Sequence, residues 1–137
     1  MKKFSQKNGI NLKTITGMSS TNNNYKQGDI VWVKYPFSDQ PDKAKARPAV
    51  VVSHERSNQL DHDLIVAPVT SRIRGDAFSF LLTPDDTNVA LPQMSEVRSN
   101  KMVTIRSMLM EKKITQLKPE ALERLIEQVC ETFRLDE

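Results

Sequence analysis

Two short apolar segments joined by a polar connection form the most informative pattern in the chain. Residues 47–53 read Arg-Pro-Ala-Val-Val-Val-Ser, and residues 63–71 read Asp-Leu-Ile-Val-Ala-Pro-Val-Thr-Ser. Runs of valine and isoleucine bounded by proline and polar residues are typical of strands that are buried on both faces. We therefore predict two neighbouring core strands, with a short helical turn possible in the polar connection at residues 54–62.

Other apolar segments around this pair are also short and rich in β-branched and aromatic residues. They predict strands at Ile30–Tyr35, Ala77–Leu82, Val89–Leu91, Ser95–Arg98 and Met102–Ile105. Glycine, proline and aspartate separate these segments and mark turns. Five or six short strands with such punctuation predict a mainly β fold, a small antiparallel barrel.

The periodicity changes at the C-terminal end of the chain. Apolar residues there recur every three or four positions, which predicts one face of a helix: Leu122, Leu125, Ile126, Val129, Cys130 and Phe133. Pro119 suits the first helical position, and Glu120 suits the positive end of the helix dipole. We expect this face, including the Cys130 thiol, to be buried, and Trp32 to be buried in the first strand.

Composition adds limits to this outline. The 137 residues, 38% of them apolar and 27% charged, are typical of a globular domain, which we place at residues 25–137. Residues 1–24 are polar and predict a flexible N-terminal tail. The tail holds four lysines and no acid, so the net charge of +3 belongs to it, and the other residues carry 16 basic and 17 acidic side chains. Global charge is therefore weak evidence for nucleic-acid binding.

The absence of a long apolar run makes a membrane span unexpected, because a span needs about 20 apolar residues. The single cysteine, Cys130, has no partner for an internal disulfide. Both observations favour a cytoplasmic protein without a membrane partner.

The ends of the two core strands suggest an anion site. Arg47 opens the first strand, and Thr70 and Ser71 close the second. If the strands are antiparallel neighbours, these side chains share one edge of the sheet, where a guanidinium and two hydroxyls suit a phosphate. An arginine paired with a nearby acid, and hydroxyls that cap a turn, are the alternative interpretations.

Three segments in this order resemble the MazF/PemK-like toxins. They are Gly28-Asp29-Ile30-Val31-Trp32-Val33, the run of residues 47–53, and the run of residues 63–71 that ends in Pro-Val-Thr-Ser. The resemblance covers roughly residues 25–135. It implies an SH3-like antiparallel barrel of the CcdB/MazF-like type with a C-terminal helix, assembled as a homodimer.

The same resemblance implies an activity. Typical members are toxins of type II toxin–antitoxin systems that cleave single-stranded RNA as metal-independent, sequence-specific endoribonucleases, and so inhibit translation and growth. They use no cofactor. A cognate antitoxin holds them inactive, and the complex with the antitoxin binds DNA.

The resemblance also assigns roles to residues. The functional arginine falls on Arg47 and the functional threonine on Thr70, with Ser71 beside it, whereas a loop carboxylate falls loosely on Asp42. Contacts with RNA are expected from basic, aromatic and polar residues around these positions: Lys34, Phe37, Lys43, Lys45, Arg72, Asn100 and Lys101. Many members carry an Asp-Gln pair where this chain reads Asn100-Lys101, a departure that removes an acid near the dimer and RNA region.

The expected chemistry leaves one role unfilled. The 2′-hydroxyl of the RNA attacks the adjacent phosphorus and leaves a cyclic phosphate, so the protein must stabilise charge and move two protons. Arg47 suits charge stabilisation but stays protonated, and Thr70 and Ser71 are poor bases. Asp42, Asp39 or a bound water are the candidate proton acceptors.

No metal site is predicted, because the two histidines lack cysteine or acidic companions at ligand spacing. We expect His54 and His62 to lie at the surface. Two other functions stay open on the sequence. One is a toxin of the same fold that binds a protein such as DNA gyrase, and the other is a catalytically inactive SH3-like binding domain.

Overall fold

The computed structural model describes residues 25–36 and 44–137, and these form a seven-stranded antiparallel sheet with two α-helices. The strands are β1 (Asp29–Pro36), β2 (Ala44–Val51), β3 (Asp63–Thr70), β4 (Ser79–Leu82), β5 (Ser95–Arg98), β6 (Val103–Arg106) and β7 (Met110–Gln116). The helices are α1 (Glu55–Asp61) and α2 (Pro119–Glu131). The tail predicted for residues 1–24 lies outside the described residues.

The strand order is β4-β5-β3-β2-β1-β7, and β6 also pairs with β3. Strand β3 is therefore the hub, since its first half pairs with β6 and its last residues pair with β5. The predicted mainly β fold with a C-terminal helix is confirmed. Among the described strands no pairing joins β4 to β7, so hydrogen bonds do not close the sheet into a full barrel.

The central strands are buried on both faces, as the apolar runs predict. One face carries Ile30 and Val50, which pack with α2, and the other carries Val31 and Ala49. These side chains are fully buried. Successive residues of a strand point to opposite faces, so a strand covered on both sides needs apolar residues at every position.

Helix α1 lies within the polar connection where the sequence allows a helical turn, and α2 begins at Pro119 as predicted. Helix α1 starts after His54, whose Nδ1 accepts a hydrogen bond of 3.0 Å from the Arg56 N–H, and His62 ends it in the left-handed conformation with φ 60°. Helix α2 has Pro119 in its first turn, where the missing N–H costs no hydrogen bond. No helix in the described part of the chain is long and apolar enough to cross a membrane.

Gly28 directly precedes β1 and packs closely against Leu122 of α2. Its φ is +96°, and a Cβ placed there would lie 3.1 Å from Leu122 Cδ2. The positive φ therefore favours glycine, and a Cβ would also require the Leu122 side chain to shift by a few tenths of an ångström.

Several predicted elements differ from the structure. Val89–Leu91 is not a strand, whereas β7 was not predicted. Strand β7 reads Met-Glu-Lys-Lys-Ile-Thr-Gln and carries little apolar signal, because it is an edge strand held by its pairing with β1. Cys130 is exposed and Phe133 is 71% exposed in the single chain. The prediction that both side chains are buried was therefore wrong. The buried stripe of α2 ends at Val129, and the helix ends at Glu131.

Replacing Leu125 tests the packing of α2. Leu125 is fully buried in the core between α2 and the sheet. Leu125→Ala should lower the free energy of unfolding by about 2–5 kcal/mol, because it removes apolar contacts and leaves a cavity. Urea denaturation measures the change. Glu127→Ala, on the exposed side of the same helix, should change it by less than about 0.5 kcal/mol, and equal effects would contradict this placement.

Candidate functional site

The register between β2 and β3 brings the predicted anion-binding residues to one end of the sheet. Ala49 pairs with Pro68, and Val51 pairs with Val66. Extending this antiparallel register by two residues sets Arg47 beside Thr70. The start of β2 therefore adjoins the end of β3, as the sequence predicts.

A cavity of about 440 Å³ opens at this end of the sheet. Arg47, Thr70 and Ser71 all line it. The rest of its wall is mostly apolar and consists of Trp32, Pro48, Val69, Leu91, Pro92, Gln93, Ser95 and Ile114. We call this space the Arg47 cavity. A fixed cation and two hydroxyls beside apolar walls can hold a phosphate and an aromatic or apolar group together.

Trp32 is the main site residue that the sequence did not reveal. It was expected in the core, but it is half-buried and lines the Arg47 cavity. Trp32 pairs with Pro48, the residue after Arg47, in the β1–β2 ladder. An indole at the wall of a cavity offers a flat apolar surface for stacking.

The segment before β5 was also missed. Leu91, Pro92 and Gln93 reach the cavity from a stretch without regular secondary structure. Ile114 reaches it from the edge strand β7. The sequence carries no signal for these contacts, because they depend on how distant segments close over the end of the sheet.

The phenol of Tyr35 is influenced by Arg47. Burial raises the pKa of Tyr35 well above its ordinary value, and the positive charge of Arg47 offsets this only in part. The Tyr35 hydroxyl is buried and has no hydrogen-bond partner among the described residues. Tyr35 therefore stays a neutral phenol at physiological pH and is not a ready proton acceptor.

A charged cluster, in which Glu96 and Arg98 are buried and Asp76 is exposed, lies next to Thr70. Thr70 pairs with Glu96 at the end of the β3–β5 ladder. The Glu96 carboxylate is fully buried and accepts hydrogen bonds from Arg98 Nη1 at 2.8 Å and Ser79 Oγ at 2.9 Å. Arg98 also donates to Asp76 at 2.9 Å. The Asp76–Arg98–Glu96 cluster thus supports the segment that follows Thr70.

Hydrogen bonds keep both carboxylates of this cluster ionised. Burial alone would raise the pKa of Glu96, but hydrogen bonds from Arg98 and from two backbone N–H groups outweigh it and lower the pKa. The hydrogen bond from Arg98, joined by the N–H of Phe78, lowers the pKa of Asp76 to about 2.

The other predicted RNA contacts fall into three groups. Lys34, Lys45 and Arg72 are exposed near the end of the sheet that holds Arg47, and the Arg72 N–H donates to Thr70 Oγ1 at 3.1 Å. Asp42, predicted as catalytic, lies outside the described residues, and so do Phe37, Lys43 and the alternative proton acceptor Asp39.

Asn100 and Lys101 form the third group, in the turn between β5 and β6. Asn100 lines a second cavity of about 500 Å³ with Val103 and Phe133, which we call the Asn100 cavity. It shares no lining residue with the Arg47 cavity. The structure therefore does not bring Asn100 together with Arg47, and its role in RNA binding stays a prediction.

Titratable acids and bases are sparse at the site. In the described part of the chain, no aspartate, glutamate or histidine lines the Arg47 cavity. Over residues 25–36 and 44–137, no three or more His, Cys, Asp or Glu side chains are grouped so that they could hold a metal ion.

Comparison with known protein families shows which family the chain belongs to. A sequence model of the PemK-like, MazF-like toxins of type II toxin–antitoxin systems matches residues 26–133. The chain belongs to this toxin family. A search of curated protein sequences gave no significant match.

Solved structures of toxins share the fold. The Mycobacterium tuberculosis toxin MazF-mt6 is 25% identical over 80% of this chain and 99% of that chain, with a TM-score of 0.62. MazF from Deinococcus radiodurans is 18% identical over 80% and 96% of the two chains, with a TM-score of 0.65. An endoribonuclease in complex with its cognate antitoxin, from a mycobacterial species, is 14% identical over 82% and 98%, with a TM-score of 0.67.

The ion pair between Asp76 and Arg98 should make this toxin-family chain sensitive to acid. The lowered pKa of Asp76 means that its contribution to stability is complete above about pH 4 and is lost as the pH falls towards 2. Asp76→Asn should therefore show a smaller loss of stability than the wild type between pH 4 and pH 2. Urea denaturation midpoints across this range measure it.

Asp136→Asn is the matched control, because this exposed carboxylate at the C-terminal end lies outside the Asp76–Arg98–Glu96 cluster. It should keep the pH dependence of the wild type. Identical slopes in the wild type and Asp76→Asn would show that the ion pair does not stabilise the folded state.

Proposed function

We propose that the chain is the toxin of a type II toxin–antitoxin system and acts as a sequence-specific, metal-independent endoribonuclease on single-stranded RNA. It would cleave mRNA in the cytoplasm and so inhibit translation and growth. The observation that carries the proposal is the Arg47 cavity, where Arg47, Thr70 and Ser71 meet beside Trp32. Family membership and the endoribonucleases among its structural neighbours support it.

The cavity residues suit cleavage by the 2′-hydroxyl of the RNA. That oxygen attacks the adjacent phosphorus, the bond to the 5′ oxygen breaks, and a 2′,3′-cyclic phosphate remains. Negative charge grows on the phosphate oxygens during this step. Arg47 would stabilise that charge with its forked donors, and the hydroxyls of Thr70 and Ser71 would orient the phosphate by hydrogen bonds.

None of the described side chains that line the cavity is a ready proton acceptor. The 2′-hydroxyl must lose a proton and the leaving 5′ oxygen must gain one. Arg47 is always protonated and the raised pKa of Tyr35 keeps its hydroxyl neutral, so neither is a ready acceptor. Asp42, Asp39 and a bound water stay the candidates for this role.

The apolar walls suit an unpaired base. Trp32, Leu91 and Pro92 surround the space beside the phosphate-binding groups, and aromatic side chains stack on bases that are free of a duplex. The amide of Gln93 lies at the same wall and can hydrogen-bond a base edge. The exposed cations Lys34, Lys45 and Arg72 would hold the neighbouring phosphates.

A matched pair of arginine variants tests the activity. Arg47→Ala should reduce cleavage of a long single-stranded RNA by at least about 100-fold, because a donor to the transition-state charge is lost. Arg56→Ala, at an exposed position of α1, should cleave like the wild type. Gel electrophoresis with and without EDTA measures cleavage, which should persist with the chelator. Circular dichroism melting checks that each variant is folded.

Two results would count against this proposal. Intact RNA with folded wild-type protein under every condition would refute the nuclease and favour a toxin that binds a protein target. Cleavage by Arg47→Ala at the wild-type rate would remove the Arg47 cavity as the active site.

We also propose that the toxin is a homodimer bound by a cognate antitoxin. Val103 and Phe133 line the Asn100 cavity and are 38% and 71% exposed. Exposed apolar side chains on one face support contact with a second copy of the chain there. In this family an acidic antitoxin segment commonly crosses the toxin dimer. The exposed cations near the Arg47 cavity would attract such a segment, and the complex would bind DNA.

Sedimentation equilibrium tests the dimer. The wild type should show twice the mass of one chain. Val103→Asp should shift the protein towards the monomer, because it places a charge in an apolar contact. Val89→Asp, which is 66% exposed and does not line the Asn100 cavity, should stay dimeric. A monomeric wild type at micromolar concentration would refute the assembly.

A further inference from the structure

Glu96 is the most unusual residue near the site. It is a fully buried carboxylate on a four-residue strand whose residues are all buried. Its neighbour across the ladder is Thr70, the last residue of β3 and a wall of the Arg47 cavity. Glu96 itself does not line the cavity, so it does not touch a molecule bound there.

Both oxygens of Glu96 accept hydrogen bonds, from different directions. Oε1 accepts from the backbone N–H of Arg74 at 3.0 Å and of Gly75 at 3.3 Å. Oε2 accepts from Ser79 Oγ and Arg98 Nη1. One carboxylate therefore ties the loop after Thr70 to strands β4 and β5.

That loop has little else to hold it. Residues 71–77 are all exposed, and Ile73, their one large apolar side chain, is 45% exposed, so apolar burial contributes little to their order. The remaining fixed points are polar. The Arg72 N–H donates to Thr70 Oγ1, and the Asp76 N–H donates to Ser79 Oγ. The Asp76 carboxylate accepts from Arg98 and the Phe78 N–H, and the Gln128 side chain of α2 donates to the carbonyl oxygen of Ala77 at 3.4 Å. The hydroxyl of Ser71 sits in the first position of this loop.

Stability alone does not explain a carboxylate at this position. Burying an ion pair costs desolvation free energy that roughly cancels its attraction, and apolar residues of similar volume often do as well. An apolar side chain at position 96 could pack between the strands, but it could not accept the two backbone N–H groups. What a carboxylate provides and an apolar side chain does not is the pair of hydrogen bonds that hold the loop backbone.

We infer that Glu96 is a positioning residue for the proposed RNA cleavage. By holding the N–H groups of Arg74 and Gly75, it fixes the loop that begins at Ser71, and so fixes the hydroxyls of Thr70 and Ser71 at the Arg47 cavity. The inference rests on the proposed function, because the hydroxyls need a fixed position only if they orient a reacting phosphate.

Glu96→Gln tests the inference with little change of shape. An amide can accept on one side only, so either the backbone N–H groups or Arg98 must then face the NH₂ group. We expect kcat to fall by about 10- to 100-fold while KM changes little, because a misplaced catalytic group affects the transition state most. The substrate is a short RNA that contains a cleavage site mapped with the wild type.

Asp86→Asn is the matched control. Asp86 is 7% exposed, accepts from Arg124 Nη2 on one oxygen and from Thr83 N–H and Oγ1 on the other, and lines neither the Arg47 nor the Asn100 cavity. It should lose stability as Glu96→Gln does, yet keep the wild-type kcat. Equal kcat values for the two variants would overturn the inference.

Amide hydrogen exchange gives a readout that needs no RNA. In Glu96→Gln, NMR should show faster exchange at Arg74 and Gly75, with α2 unchanged. Unchanged exchange at these two amides both in Glu96→Gln and in the double variant described next, which cannot accept them, would overturn the inference whatever the kinetics. If the wild type leaves RNA intact, the proposed function and the catalytic part of the inference fail, and exchange still decides whether Glu96 holds the loop.

A second variant covers the case in which Glu96→Gln does not fold. Glu96→Leu combined with Arg98→Met replaces both buried charged groups by apolar ones, so no buried charge is left unpaired and position 96 cannot accept the two backbone N–H groups. This folded double variant should also show fast exchange at Arg74 and Gly75 and a low kcat. Wild-type values for both would overturn the inference.

Discussion

The antiparallel pairing of β2 with β3 is the constraint on which the rest of the structure depends. Both strands are apolar on both faces, so they must occupy the middle of the sheet, and their register sets the start of one beside the end of the other. A slip of one residue would exchange the two faces of a strand and bury the wrong side chains. The same register that satisfies the core therefore places Arg47 beside Thr70.

Two prolines in these strands fit the same arrangement. Proline cannot donate to a ladder, so it is tolerated where a strand is paired on one side only, as Pro48 is with Trp32 and Pro68 is with Ala49. Pro48 precedes the first β2–β3 pair at Ala49, and Pro68 lies where β3 changes partner from β6, whose pairing ends at Val66, to β5. The interruption of pairing that admits the prolines also opens the end of the sheet where the cavity lies.

The sequence predicted the parts that depend on local pattern. The valine-rich runs gave β2 and β3, the spacing of three and four gave α2, and the ends of the strands gave Arg47, Thr70 and Ser71. Parts that depend on distant pairing were not predictable. Strand β7 is mostly polar, and Leu91 and Ile114 reach the cavity only once the chain has folded. Glu96 and Arg98 were recognised as a strand, but nothing local indicates that these charged residues are buried.

The charges around the cavity favour stabilising an anion over moving a proton. Arg47 supplies a permanent positive charge, and the neighbouring Tyr35 is held neutral by its raised pKa. Glu96 is the nearest buried carboxylate on the ladder, but its lowered pKa and four hydrogen bonds leave it no capacity to accept a proton at physiological pH. Glu96 therefore does not transfer protons. Its role is to hold the backbone of the loop that carries Ser71, through the N–H groups of Arg74 and Gly75. Because no described carboxylate or imidazole lines the cavity, solvent and the predicted acceptors Asp39 and Asp42 stay the candidates for proton transfer.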